Sequence, residues 1–384
     1  MLCKIKCVKN TLYTLLNGLK TLKLYQKRHW SFFNRQKIFT FHTTMKSRFL
    51  DFRSDTVTKP TAGMLDAMMS AKVGDDVFGE DETVTALEQK LALMFNMEAG
   101  LFCPSGTMTN QIAIKCFTQP MDEVICDQTA HVYRYEIGGI AFHSAASVRL
   151  LYGDRGILTP ELIEPEINED NIHYPNSTLV VLENTVNKGG GKCYTLNQIA
   201  PIHHLCNIKG LKLHLDGARI FNALVATGDK ASAYGKYFDG ISICLSKGLG
   251  APVGSVLLGS ADTIRKARKI RKAFGGGMRQ AGFLAAAGIY ALDHHVERLK
   301  QDHDHAKELA IALARTSYVK SIIPVETNIL IFEVAKGTAQ KIVNQLRDKG
   351  LHCSTTSDST IRLVTHLDLT SSMIDEAIEI ILHL

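Results

Sequence analysis

No aspartate or glutamate occurs among the first fifty residues, although that stretch holds eleven lysines and arginines (Lys4, Lys6, Lys9, Lys20, Lys23, Lys27, Arg28, Arg35, Lys37, Lys46 and Arg48). The formal net charge of +6 therefore belongs to one end of the chain, and the remainder carries 33 basic against 38 acidic residues, a net of −5. A mildly acidic body offers no electrostatic reason to bind nucleic acid. Also missing is any CxxC pair or any His/Cys cluster at zinc spacing. Nine scattered cysteines then imply neither a disulfide framework nor a structural metal, and reduced thiols in an intracellular compartment fit best. Histidines between 293 and 305 fall within helical turns of one another, a weak metal signal, and no metal is assigned to them. No apolar run reaches the length of a membrane span, and repeats and low-complexity linkers are absent.

The 384 residues are 45% hydrophobic with mean hydropathy near zero, enough to bury a large core and to form one large domain plus a smaller one. The basic segment adds hydroxylated side chains and leucines at helical spacing (Leu12, Leu15, Leu16, Leu19, Leu22), the pattern of a mitochondrial transit peptide. Residues 1–48 are thus expected to be a disordered presequence directing mitochondrial import. A large domain over 49–314 and a small one over 315–384 would follow. Initiation at Met45 instead would leave a shorter, cytoplasmic protein.

Residues 241–254 read ISICLSKGLGAPVG, an apolar strand that delivers Ser246 and Lys247 into a glycine turn. A lysine half withdrawn from water loses its proton more easily, and a neutral amine can attack a carbonyl to form a Schiff base. A solvated surface lysine is the ordinary alternative. Upstream, residues 211–223 read LKLHLDGARIFNA, a second apolar strand ending at Asp216, followed by Arg219 at a helix start. An acid, an arginine and a lysine at neighbouring strand ends point to one site at the carboxyl edge of a sheet. The trio suits pyridoxal phosphate: Lys247 binds it covalently, Asp216 keeps the pyridine nitrogen protonated, and Arg219 reaches the ring oxygen or a substrate carboxylate.

These strings, DGAR and SKGLG, with RSDTV near residue 55 and GGGMRQ near residue 278, occur in an order that closely resembles the threonine aldolases of the fold-type-I pyridoxal phosphate enzymes, from about residue 51 to the C-terminus. The resemblance implies an α/β fold: a large domain with a mixed, mostly parallel seven-stranded sheet and a small C-terminal α+β domain. It implies retro-aldol cleavage of L-threonine or L-allo-threonine to glycine and acetaldehyde. Transamination or β-elimination on a small amino acid is the alternative on the same fold.

Ser105, Gly106 and Thr107 open a helix after a short strand, where free N–H groups and the helix dipole can hold the cofactor phosphate, although such turns often serve capping alone. His131 stands at a strand-to-helix turn; by resemblance it stacks on the cofactor ring and exchanges a proton with water or the substrate hydroxyl. The resemblance further places Ser54 against the substrate carboxylate and His173 near the substrate side chain. It makes Arg362, early in the strand IRLVTH, the carboxylate clamp, a role that suits a planar two-pronged donor. Lys272 and Arg279 match residues that reach the phosphate of the neighbouring subunit, which implies a homodimer or homotetramer with shared active sites. The basic run over 262–272 reads otherwise as a solvated helix face. Many relatives have a histidine where Val186 stands, and Gly189, Gly190 and Gly191 beside it predict an unusually free loop lacking a polar contact.

Overall fold

The computed structural model describes residues 49–384, and the presequence expected over 1–48 lies outside the described residues. The described chain opens with β1 (Leu50–Asp51) and then builds one seven-stranded sheet from β2 (Ala99–Cys103), β3 (Asp122–Asp127), β4 (Ser147–Leu151), β5 (Asn176–Glu183), β6 (Lys212–Gly217), β7 (Gly240–Cys244) and β8 (Ser255–Gly259). Their order is β2-β8-β7-β6-β5-β3-β4, and β8 alone runs antiparallel to its neighbours. Every residue of β3, β7 and β8 is buried, as expected for strands covered by helices on both faces. Ile241, Ile243, Leu213, Leu215 and Val180 form the centre of the main core.

A second, smaller sheet of β9 (Val319–Ile322), β10 (Ile329–Val334), β12 (Ser354–Thr355) and β13 (Thr360–Val364) is antiparallel, with β11 (Leu351–His352) set apart to pair with β1. The helices Ala339–Asp348 and Ser371–Leu382 cover it. Leu50 and Phe52 pack into this second core, and the Phe52 carbonyl accepts from Val364 N–H at 2.9 Å. The first described residues are thereby tied to the C-terminal sheet, which sends residues 53–58 across to the strand ends of the large one.

The helix that opens at Pro160 stops at Ile163 and becomes a 3-10 turn over Glu164–Glu166, because Pro165 supplies no N–H and crowds the preceding turn. One local expectation changes. The basic run is not simply solvated. Arg271 is buried, donating to the Phe102 carbonyl at 2.6 Å and pairing with Asp76 at 2.7 Å, while Arg268 donates to Glu88 at 2.8 Å. Asp76 and Glu88, the latter on the helix Glu82–Phe95, are the carboxylates that hold these two arginines. All seven cysteines among the described residues are free, and no described helix is long and apolar enough to cross a membrane.

Candidate active site

Parallel strands end at one edge of a sheet, so the residues that close β3, β5, β6 and β7 meet there. Asp216, next to last in β6, is buried; its Oδ1 accepts from Ala218 N–H at 3.1 Å, and its Oδ2 has no partner. A buried carboxylate oxygen without a donor is costly unless a ligand supplies one. Beside it, atoms of His131, Glu136 and Asp216 lie within 4.8 Å of one another, the one such His, Cys, Asp or Glu group among the described residues. The histidines between 293 and 305 do not form one: His295, His303 and His305 bond separately to the Leu249 carbonyl, Asn222 and Ser371.

Glu136 is buried and takes Asn110 Nδ2 at 3.0 Å and Gln111 Nε2 at 2.6 Å, which leaves it a fixed acceptor for His131 Nδ1 at 3.0 Å. With Nδ1–H donated there, Nε2 is left as the basic nitrogen. Burial pulls the imidazole down, but the Glu136 hydrogen bond and the charges of Asp216 and Glu136 overcome it and hold His131 above its ordinary pKa. Glu183, which ends β5 directly opposite Asp216, accepts from His131 N–H at 2.8 Å and from Asn187 N–H at 2.9 Å.

Lys247 lies half-buried in the turn after β7, its carbonyl taking the Thr58 hydroxyl at 3.1 Å and Gly250 N–H at 2.8 Å. Arg219 is anchored to its own chain: Nε and Nη2 grip the two oxygens of buried Asp55 at 2.7 and 2.6 Å, and Nη1 takes no part in that pair. Burial pushes the Asp55 carboxyl up, but Arg219, Lys247 and the Asn328 amide carry it down to about 2. Arg362 approaches from β13, donating Nη1 to Asn187 Oδ1 at 2.9 Å and Nη2 to the Arg53 carbonyl at 3.2 Å, and its buried Nε has no partner. Between these arginines sits Ser54, whose oxygen accepts from Thr56 N–H and hydroxyl at 3.2 and 2.8 Å.

The glycine loop is not free. Gly189, Gly190 and Gly191 are buried, and Gly191 combines φ of +74° with a spot where a Cβ would strike the Thr327 hydroxyl. Glycine serves close packing here, and the loop does make polar contacts through Asn187, whose N–H donates to Glu183 and whose Oδ1 accepts from Arg362. Val186 packs into the main core.

Ser105 caps the helix Gly106–Phe117, accepting from Met108 N–H at 3.2 Å, and Gly106 and Thr107 present the first two N–H groups of that helix. A Cβ at Gly106 would strike Cys244 Sγ, so only glycine keeps this approach open. Three expected residues are not gathered here within the chain. His173 is exposed and precedes the first residue of β5, at the edge opposite Glu183 and roughly 25 Å away at the usual rise per residue. Lys272 and Arg279 are exposed, and Arg279 donates to Asp75 at 2.8 Å. A cleft of about 670 Å³ lined by Phe117, Lys212 and Lys266 opens at that opposite edge and contains none of the site residues.

Sequence reading passed over Asp55, Glu136, Glu183 and Asn187. Glu183 carried a usable signal, a carboxylate closing an otherwise apolar strand; the other three sit in polar stretches that look like ordinary loops.

A mixed seven-stranded sheet with a buried aspartate and a half-buried lysine at adjacent strand ends defines an enzyme of the fold-type-I class. A solved structure of Leishmania major threonine aldolase shares this fold, with a TM-score of 0.76 at 22% identity over 86% of this chain and 98% of that one. Residues 51–337 match the family model described as beta-eliminating lyase. The sequence is 40% identical to low-specificity L-threonine aldolase 1 of Arabidopsis thaliana over 336 residues, covering 85% of this chain and 94% of the relative. It is also 40% identical to the low specificity L-threonine aldolase of Escherichia coli K12 over 328 residues, covering 85% and 96%. The chain belongs to the beta-eliminating lyase family and, within it, to the low-specificity L-threonine aldolases.

Proposed function

We propose that this chain is a pyridoxal phosphate-dependent aldehyde-lyase that splits L-threonine or L-allo-threonine into glycine and acetaldehyde. The observation that carries the reading is the partnerless, buried Oδ2 of Asp216 beside His131, on the strand next to the one that leads into Lys247, a carboxylate placed to accept the N–H of a protonated pyridine. Lys247 Nζ would hold the cofactor covalently, and the N–H groups of Gly106 and Thr107 with the hydroxyls of Ser105 and Thr107 would hold its phosphate. When bound, the cofactor supplies a conjugated sink for the electron pair of a broken Cα–Cβ bond. Arg362 and Ser54 hold the substrate carboxylate, Arg362 through its unused Nε. Arg219, locked on Asp55, acts from the side as a fixed positive charge. His131 Nε2 removes the β-hydroxyl proton, the Cα–Cβ bond breaks to release acetaldehyde, and a proton returned to Cα completes glycine. Incubating the purified protein with each diastereomer and assaying glycine and acetaldehyde tests this; neither product, or a keto acid in their place, overturns it. Lys247→Ala should abolish the visible absorption of the bound cofactor, and a band surviving dialysis of that variant refutes the assignment.

The same reading includes a homodimer or homotetramer with shared sites, supported by the exposure of Lys272 and Arg279 and by the exposed apolar side chains of Ile137 and Phe142 close to His131 in the chain. Mixing inactive Lys247→Ala and Arg279→Ala proteins under subunit exchange should restore activity, because one site of the heterodimer then carries both changes and the other neither. No recovery counts against sharing. The charge pattern of residues 1–48 supports mitochondrial import and a part in threonine breakdown and glycine supply there. A fluorescent fusion lacking residues 1–44 should lose that location, and identical diffuse signals from both lengths would argue for the cytoplasm.

A further inference from the structure

Glu183 is a buried acid at this strand edge that the proposed reaction leaves unused. Its two oxygens serve two separate loops, Oε2 accepting from His131 N–H and Oε1 from Asn187 N–H, at 2.8 and 2.9 Å. Each of those residues carries one wall of the site. His131 supplies the imidazole, and Asn187 Oδ1 aims Arg362 by accepting from its Nη1 at 2.9 Å. Across the strands its direct neighbour is Asp216, whose Oδ2 is the unmet acceptor.

We infer that Glu183 is a positioning residue that sets the His131 loop and the Asn187–Arg362 arm together and links both to cofactor loading at Asp216. The inference rests on the pyridoxal phosphate reading of the site. An ionised carboxylate accepts both N–H groups best, since a proton on either oxygen makes that oxygen a weaker acceptor and adds an O–H that must find its own partner. The charged and titratable groups around it are Asp216 on β6, His131 after β3, Arg219 beyond β6, and the neutral Cys126 and Tyr194. Burial and the Asp216 charge push the Glu183 carboxyl up to about 7, against the pull of the two backbone N–H groups and of His131. A protonated ring nitrogen at Asp216 removes that repulsion, so ionised Glu183 favours the cofactor and the cofactor favours ionised Glu183.

The test is to titrate pyridoxal phosphate into cofactor-stripped wild type and Glu183→Gln from about pH 5.5 to about pH 8.5, following binding by absorbance and without substrate. Wild type should bind several-fold more weakly as the pH falls below about 7. Glu183→Gln, which offers one acceptor where two are needed, should bind about tenfold more weakly at high pH and lose that dependence. With substrate, Glu183→Gln and Asn187→Ala should each raise KM, and the double variant should raise it no further than Glu183→Gln alone, because both act through Arg362. Equal affinity and an equal pH profile in wild type and Glu183→Gln, or multiplied KM effects, overturn the inference. Should Glu183→Gln fail to fold, Asn187→Ala decides: raised KM at unchanged cofactor affinity supports the arm, and unchanged KM refutes it. A wild type that binds no pyridoxal phosphate overturns the reading of the site instead.

Discussion

Arg219 and Arg362 flank the tripeptide Arg53–Ser54–Asp55, the first on the Asp55 carboxylate and the second on the Arg53 carbonyl. The Arg219 corner is closed: a fully buried two-pronged ion pair with Asn328 adding a donor to Asp55 at 3.3 Å. The Arg362 corner has no carboxylate, since one prong rests on the Asn187 amide oxygen, another on a carbonyl, and the buried Nε has no hydrogen-bond partner. Burial opposes the charge on both, but Asp55 more than compensates Arg219, whereas burial and the nearby Arg219 leave Arg362 below its ordinary pKa. The same side chain thus holds the fold together in one corner and waits for an anion in the other. What decides is whether the chain itself brings a carboxylate.

The comparison breaks first on stability. Asp55→Ala strands a buried guanidinium, which should cost about 3–5 kcal/mol. Urea unfolding measures it, and a loss below about 1 kcal/mol would mean that Arg219 is not dependent on its partner. Arg362→Lys keeps the charge but loses the fork. It should change stability little while raising KM for the amino acid about ten- to a hundredfold, the worth of a charge-assisted hydrogen bond. An unchanged KM would remove Arg362 from the binding of the carboxylate.

Acid separates the corners a second way. Asp55 is depressed to about 2 from an ordinary 3.8, so its contribution is complete above about pH 4 and is lost as pH falls toward about 2. The stability gap between wild type and Asp55→Asn should therefore narrow by about 2 kcal/mol over that range. A gap independent of pH would contradict the ion pair.

How much of this could be read beforehand depends on how locally each feature is written. The strands of the large sheet are long apolar runs that end abruptly on Asp216 or run on into Lys247, so both the elements and the edge where they meet are legible. Asp55 and Arg219 are 164 residues apart, and nothing in RSDTV marks its aspartate as the arginine's partner. The glycine loop misled because composition reports the conformations open to a free chain, while Arg155, Thr327 and Glu326 hold its backbone in place. His173 misled for a geometric reason: β5 is eight residues long, so a residue before it and one after it face opposite edges of the sheet.

The smallest effect tests the residue that both corners share. Ser54 already accepts two hydrogen bonds from Thr56, so its oxygen is occupied as an acceptor and its hydroxyl proton is the group left to offer a substrate carboxylate. Ser54→Ala removes the cap of a single 3-10 turn, worth about 0.5–1 kcal/mol of stability, and one neutral donor to a charged acceptor, worth about tenfold in KM. Ser54→Thr retains the hydroxyl and should restore KM, whatever it does to the cap. If the alanine variant loses stability but keeps its KM, Ser54 belongs with Arg219 to the closed corner. If KM rises and threonine rescues it, Ser54 belongs with Arg362, and the boundary between the part of the site that holds the fold and the part that holds the substrate runs between residues 54 and 55.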